Sequence, residues 1–429
     1  MLYTMRHLSE RELFGISSVI ALCLFVVGGF APITKALGMF SVSFQQAAVS
    51  LAPTLTIFDL RGTYRFAGIQ TQLRGIGIGV TSPPPSRKIR ILLVPGHEPT
   101  YGGTEFRSAV ERNIVVDIAE KLEGYLSQNP KYEVMMARDK NAWHPLLADF
   151  FLNRSEDIKT FRDFQRELTR GYIQNGSILP AIDQVDHTRA GDFTSLHLYG
   201  INKWASENRY DITLHFHLND YPRSLASAGT RNGFAVYVED HQFANGAVSR
   251  ALGEAIARRL NFYHATSSLP LESRGVIDDQ GLIAVGSNNS VDNASVLIEY
   301  GYIYEPQFLD GETRELAVQD YAYETYLGLQ DFFGDPIAVT YGSGALPYTW
   351  ARAPAKGETS PEAYALQSAL RYIGFYPPLG ESPHDCPTSG RFGPCTERAL
   401  TAFQFANALT PTGTVGPQTI AALEAAVGK

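Results

Sequence analysis

Residues 89–97 read IRILLVPGH, residues 111–126 read ERNIVVDIAEKLEGYL, and residues 131–138 read KYEVMMAR. The first opens with a continuous apolar run, as expected of a buried strand. In the second, Ile114, Ile118, Leu122 and Tyr125 or Leu126 recur at helical spacing, which predicts an amphipathic helix. The third reads as another strand. Strand, helix, strand is the unit of an α/β fold. Working outward, residues 199–210 read as a helix and 211–219 as an alternating strand. Residues 233–238 form a further strand, 244–263 a helix, 295–303 a late strand and 315–333 a closing helix. The expectation is an α/β domain over residues 87–335, a mixed sheet flanked by helices.

On the N-terminal side, Leu13 to Ile33 form an uncharged apolar run. A bilayer core takes roughly 20 such residues as a helix. The run exceeds the roughly 7–15 apolar residues of a cleaved signal segment, so residues 1–36 are expected to be an uncleaved anchor. A signal segment is the rival reading, and a buried core helix is the third. Residues 37–86 read as a stalk closed by the prolines 83–85, which cannot continue a helix or a central strand. Beyond the α/β domain, residues 336–358 read as a Gly-, Pro-, Ala- and Thr-rich linker. Residues 359–429 read as a small all-α module, with helices at 363–374, 396–407 and 416–427.

Composition narrows the function. Apolar residues make up 44% and charged residues 19% of the chain, which suits packed cores rather than disorder. A net charge of −8 leaves no basic excess to neutralise phosphates, so no nucleic-acid partner is expected. Of the three cysteines, Cys23 lies in the apolar run, where it reads as a packing residue. If the C-terminal module lies outside the cytoplasm, Cys386 and Cys395 can close a small-loop disulfide; two free thiols are the alternative.

The chemistry-bearing residues fall at strand ends. His97 follows 89–94 through Pro95-Gly96, His217 closes 211–219, and Glu299 closes the apolar part of 295–303. In open α/β sheets the ligand crevice lies outside the carboxyl ends of the strands. Glu111 opens the helix after His97, which aims it at the same edge. Two histidines and one Glu with an open fourth position form a donor set that suits a catalytic zinc. The remaining carboxylate can then act as general base. Taken singly, each residue has a plainer reading: a turn histidine for His97 or His217, a helix-start carboxylate for Glu111, an ion-pair partner for Glu299.

The pattern VPGHEPTYGGTEF…ERN, then DITLHFHLND, then ASVLIEYGYIYEP resembles the N-acetylmuramoyl-L-alanine amidases of the amidase-3 type. That resemblance implies one Zn²⁺ held by His97, Glu111 and His217, with Glu299 as catalytic carboxylate. It implies hydrolysis of the amide between N-acetylmuramic acid and L-alanine in peptidoglycan. The chain departs from the family at Val94, where Asp is usual, at Glu98-Pro99, where two glycines are usual, and at His215, where Ser is usual. His215 leaves the same strand face as His217. A structural role, or one touching a ligand or substrate, fits it better than metal ligation. Asn219 matches a family Asn that can orient groups around the site, or it is an ordinary strand-end residue.

Residues 362–427 resemble the peptidoglycan-binding type-1 domain through Leu366-Gln367, Leu370, Gly374-Phe375, Ser389–Gly393, Thr396, Phe403-Gln404, Thr412-Gly413, Gly416 and Thr419. Leu366, Leu370, Phe392 and Phe403 read as core. Residues 141–196 form an insertion relative to the amidases, with a helix over 154–173. Some relatives carry an inserted helix that blocks the zinc until a partner removes it, so this segment reads as a gate for an activator protein or as a surface embellishment. The expected setting is a bacterial cytoplasmic membrane, spanned once, with both domains outside the cytoplasm. A non-catalytic wall-binding protein and a zinc peptidase cutting the stem peptide are the rival functions.

Overall fold

The computed structural model describes residues 87–182, 184–187, 189–286, 288–337 and 350–427. All lie within the unit Arg61–Lys429. The apolar run 13–33, the stalk 37–86 and most of the linker 336–358 fall outside the described residues. Among those described, no helix is long and apolar enough to cross a membrane.

Six strands build the main sheet in the order β4-β1-β5-β8-β6-β7. They are β1 (Ile89–Pro95), β4 (Tyr132–Met136), β5 (Ile212–Asn219), β6 (Ala235–Glu239), β7 (Val276–Asp279) and β8 (Ala294–Tyr302). A two-stranded ribbon, β2 (Glu105–Phe106) and β3 (Ala109–Val110), lies between β1 and the first helix in sequence. The pairs β4-β1, β1-β5, β5-β8 and β6-β7 are parallel, while β6 runs antiparallel to β8. The expected mixed sheet is therefore present, with one reversal between its two halves.

Alternation along β1 assigns the two faces. Ile91 and Leu93 join the core that holds Ile114, Ile118 and Leu122 of α1 (Glu111–Leu126), Leu252 and Ile256 of α5 (Gly246–Tyr263), and Tyr321 and Tyr326 of α7 (Gly311–Phe333). Leu92 and Val94 turn the other way, onto Leu147, Phe150 and Phe151 of α2 (Pro145–Asn153), Ile158 of α3 (Ser155–Gln174) and Tyr199 of α4 (Asp192–Glu207). Each such buried side chain contributes about 1.5–3 kcal/mol relative to exposure. Helices α5 and α7 cross at nearly backbone contact: a Cβ on Gly328 would meet Ile256 Cα at 2.6 Å.

The segment 141–196, expected as an insertion, packs on that face of the sheet. It supplies α2, α3 and the first turn of α4, and Val185 packs beside Tyr237 and Leu297 farther along the same face. Sequence reading missed α2, β7 and the β2-β3 ribbon, and placed the start of α4 seven residues late.

A short helix α6 (Pro306–Leu309) precedes α7. The C-terminal block consists of α8 (Pro361–Tyr372), α9 (Pro394–Ala406) and α10 (Pro417–Ala426). Leu366, Leu370, Phe392 and Phe403 are buried in it, as expected of core residues. Its core is continuous with that of α7. At the seam, Asp320 of α7 accepts from Arg371 Nη2 at 2.6 Å and from Tyr364 Oη at 2.9 Å. Cys386 and Cys395 are joined by a disulfide.

Candidate metal centre

The loop after β1 is shaped around His217. Gly96 donates its N–H to Phe216 O at 2.9 Å, which ties the loop to β5. A Cβ on Gly96 would collide with the His217 imidazole. His97 follows with φ 69°, the left-handed region that a non-glycine residue occupies only when its surroundings hold it there. Gly103, at φ 80°, passes close to the His97 ring: a Cβ there would lie 2.9 Å from His97 Cδ2.

Glu111 is the first residue of α1, where the helix dipole favours a carboxylate. Its Oε2 accepts from Thr104 N at 2.8 Å and its Oε1 from Leu218 N at 3.0 Å. His97 Nε2 lies 2.7 Å and His217 Nδ1 3.1 Å from the same Oε1. The two imidazoles meet edge to face, with centroids 4.9 Å apart. One ligand atom from each of His97, Glu111 and His217 fits within a 4.8 Å span. Burial disfavours charge on Glu111, yet the two imidazoles outweigh it and hold the carboxyl well below the usual carboxylate range. Burial lowers the His217 imidazole and so favours the neutral form that can ligate. Two imidazoles and one carboxylate, converging from three separate elements, fit a zinc ion's preferred donors.

Glu299 stands beside this group because β5 and β8 pair His217 with Glu299 in register. Its Oε2 has no hydrogen-bond partner. Burial, reinforced by the charges of Glu111 and Glu272, pushes its carboxyl well above the usual range. His215, two residues back on the same face, lies outside the converging set. It is buried, neither ring nitrogen has a hydrogen-bond partner, and burial followed by the charge of His217 lowers it to about 3. Asn219 Nδ2 donates to Glu272 Oε1 at 2.9 Å. Glu272 also accepts from Tyr237 Oη at 2.5 Å and Tyr302 Oη at 3.0 Å, so a buried carboxylate braces the strand ends behind Glu299. Sequence reading missed Glu272, which lies in an irregular segment with no periodic signal. It also missed Glu98, whose buried carboxylate accepts from Trp143 Nε1 at 2.9 Å and lies 3.0 Å from His197 Nδ1.

In the C-terminal block, two buried glutamines pin its loops. Gln367 donates to Arg391 O at 3.0 Å and accepts from Gly390 N at 2.9 Å. Gln404 does the same with Thr414 O at 2.8 Å and Gly413 N at 2.9 Å. Residues 359–423 match the family model of the peptidoglycan binding domain. The two glutamines are fold-forming, since their amides tie loop backbone to the helices and also reach the hydroxyls of Thr396 and Thr419. No curated protein matches the chain. Among solved structures, the N-acetylmuramyl-L-alanine amidase Ami1 from Mycobacterium smegmatis is 14% identical, covers 58% of this chain and 99% of its own, and has a TM-score of 0.39. The CwlD amidase from Clostridioides difficile, solved with the GerS lipoprotein, is 16% identical, with coverages of 58% and 99% and a TM-score of 0.36. The amidase AmiC2 of Nostoc punctiforme is 15% identical, with coverages of 58% and 99% and a TM-score of 0.35.

Proposed function

We propose that this chain is a zinc-dependent N-acetylmuramoyl-L-alanine amidase, cutting the amide between N-acetylmuramic acid and L-alanine in peptidoglycan. The observation that carries this reading is the convergence of His97, Glu111 and His217 at the carboxyl end of parallel strands, with Glu299 paired to His217. The match of residues 359–423 to a peptidoglycan-binding family supports the polymer as substrate.

His97, Glu111 and His217 would hold the ion. Zinc, when bound, supplies Lewis acidity that polarises the scissile carbonyl and acidifies water. Glu299 Oε2 would take the proton from the attacking water and return it to the leaving amine. Proton transfer of this kind contributes about 10²–10⁴-fold in rate. The peptidoglycan-binding domain would raise the local concentration of the polymer. Residues 1–36 would anchor the chain in a bacterial cytoplasmic membrane, with both domains outside the cytoplasm. The Cys386–Cys395 disulfide supports that side of the membrane.

Purified peptidoglycan digested with wild type and with Glu299→Gln tests the reaction, with released fragments read by mass spectrometry. Muramyl glycan freed from intact stem peptides, lost in the variant, is the expected result. Shortened peptides would indicate a peptidase. Wild type that binds zinc yet releases nothing would indicate a wall-binding protein without catalysis.

A further inference from the structure

The guanidinium of Arg138, just past the end of β4, is 1% exposed and is spent entirely on backbone carbonyls. Nε donates to Pro95 O at 3.0 Å, and Nη2 donates to Gly96 O and to Arg112 O, the latter at 2.9 Å. Nη1 donates to Asp139 O at 2.9 Å. Pro95 and Gly96 directly precede His97, and Arg112 directly follows Glu111. One planar fork therefore bridges the loop that carries one ligand and the helix start that carries another. Lysine, a point donor on a flexible stem, lacks that geometry.

The far side of His97 is gripped as well. Glu98, next in sequence, is 4% exposed and held by Trp143 and His197. The left-handed backbone at His97 is thus fixed from both flanks, by Arg138 before it and by the insertion and α4 after it. The negative charges of Glu98 and Glu111 also offset the cost of a buried cation near the site.

We infer that Arg138 is a positioning residue for the metal centre: by holding Pro95, Gly96 and Arg112 together it sets the separation of His97 and Glu111 before any cation arrives. This rests on the metal centre proposed above. Ligands held in place in the absence of metal bind it more tightly, and groups that orient metal ligands typically account for about 10–100-fold in affinity. Arg138 would act through the loop and the helix start, since its donors go to backbone carbonyls.

The test uses the full chain and Co²⁺ alone as probe, with affinity measured by competition against a chelator and geometry read from the visible spectrum. Arg138→Gln is expected to weaken Co²⁺ binding by about 10–100-fold and to alter the spectrum. Arg138→Lys is expected to recover part of the loss. Circular dichroism and melting in excess chelator confirm that each variant is folded, and either one that folds suffices. Folded variants with wild-type affinity and spectrum would overturn the role of Arg138 and leave the metal centre standing. Wild type that binds no Co²⁺ would overturn the metal centre, and this inference with it.

Discussion

Gly96 and His217 occupy the space of one side chain between them: the imidazole fills the volume that a Cβ on Gly96 would take. The metal centre therefore depends on a residue that ligates nothing. Gly96→Ala is expected to push the His217 ring aside and lower zinc affinity at least tenfold, while the sheet stays folded. Zinc titration of the folded variant checks this. Unchanged affinity would mean that the loop relaxes and that the close approach is incidental.

Asp320 and Arg371 form a buried ion pair at the seam between α7 and α8, with neither side chain more than 1% exposed. Removing one partner strands the other's charge, which typically costs about 3–5 kcal/mol. Arg371→Met should lose stability on that scale in urea unfolding. The double variant Asp320→Leu/Arg371→Met should regain most of it, because no charge is then left buried alone.

His264 gives the fold an acid-sensitive point at the same seam. It stacks on Tyr321 at 4.3 Å, and burial first, then the charge of Arg371, lowers it from 6.5 to about 3 against the pull of Asp320. The folded state thus resists a proton that the unfolded chain accepts. Its contribution is fully present above pH 6.5 and is lost as pH falls towards about 3. His264→Phe keeps the stacking and removes the titration. The variant's stability should fall less steeply across that window, by up to about 1.4 kcal/mol per pH unit. Parallel slopes for the two proteins would contradict this.

Residues 141–190 cover Leu92 and Val94 on the sheet and brace Glu98 through Trp143. Deleting them is expected to expose that core and yield aggregated or non-cooperatively unfolding protein. A soluble, cooperatively folded deletion that digests peptidoglycan faster would instead support a gate over the site.

The parts of this architecture visible in the sequence are those written in local periodicity. The run 89–94 and the helical spacing of Ile114, Ile118 and Leu122 announced β1 and α1, and the polar residues at strand ends marked the crevice. What stayed hidden was long-range or weakly patterned. Strand β7 reads VIDD, two of its four residues acidic, so no apolar run betrays it. Arg138 looks like an ordinary strand-end cation, because its four acceptors are carbonyls, which leave no trace in side-chain identity. Glu272 acquires its three donors only once β5, β6 and β8 are aligned. The continuous core shared by α7 and the C-terminal block joins residues on either side of a segment that reads as a linker.

The account stands on one divalent cation shared by His97, Glu111 and His217. Crystals of the full chain grown with zinc, measured at the zinc absorption edge, test it directly. The prediction is a single anomalous peak within about 2.0–2.2 Å of one ligand atom from each of the three residues. A peak elsewhere, or none in this cleft at saturating zinc, would contradict it.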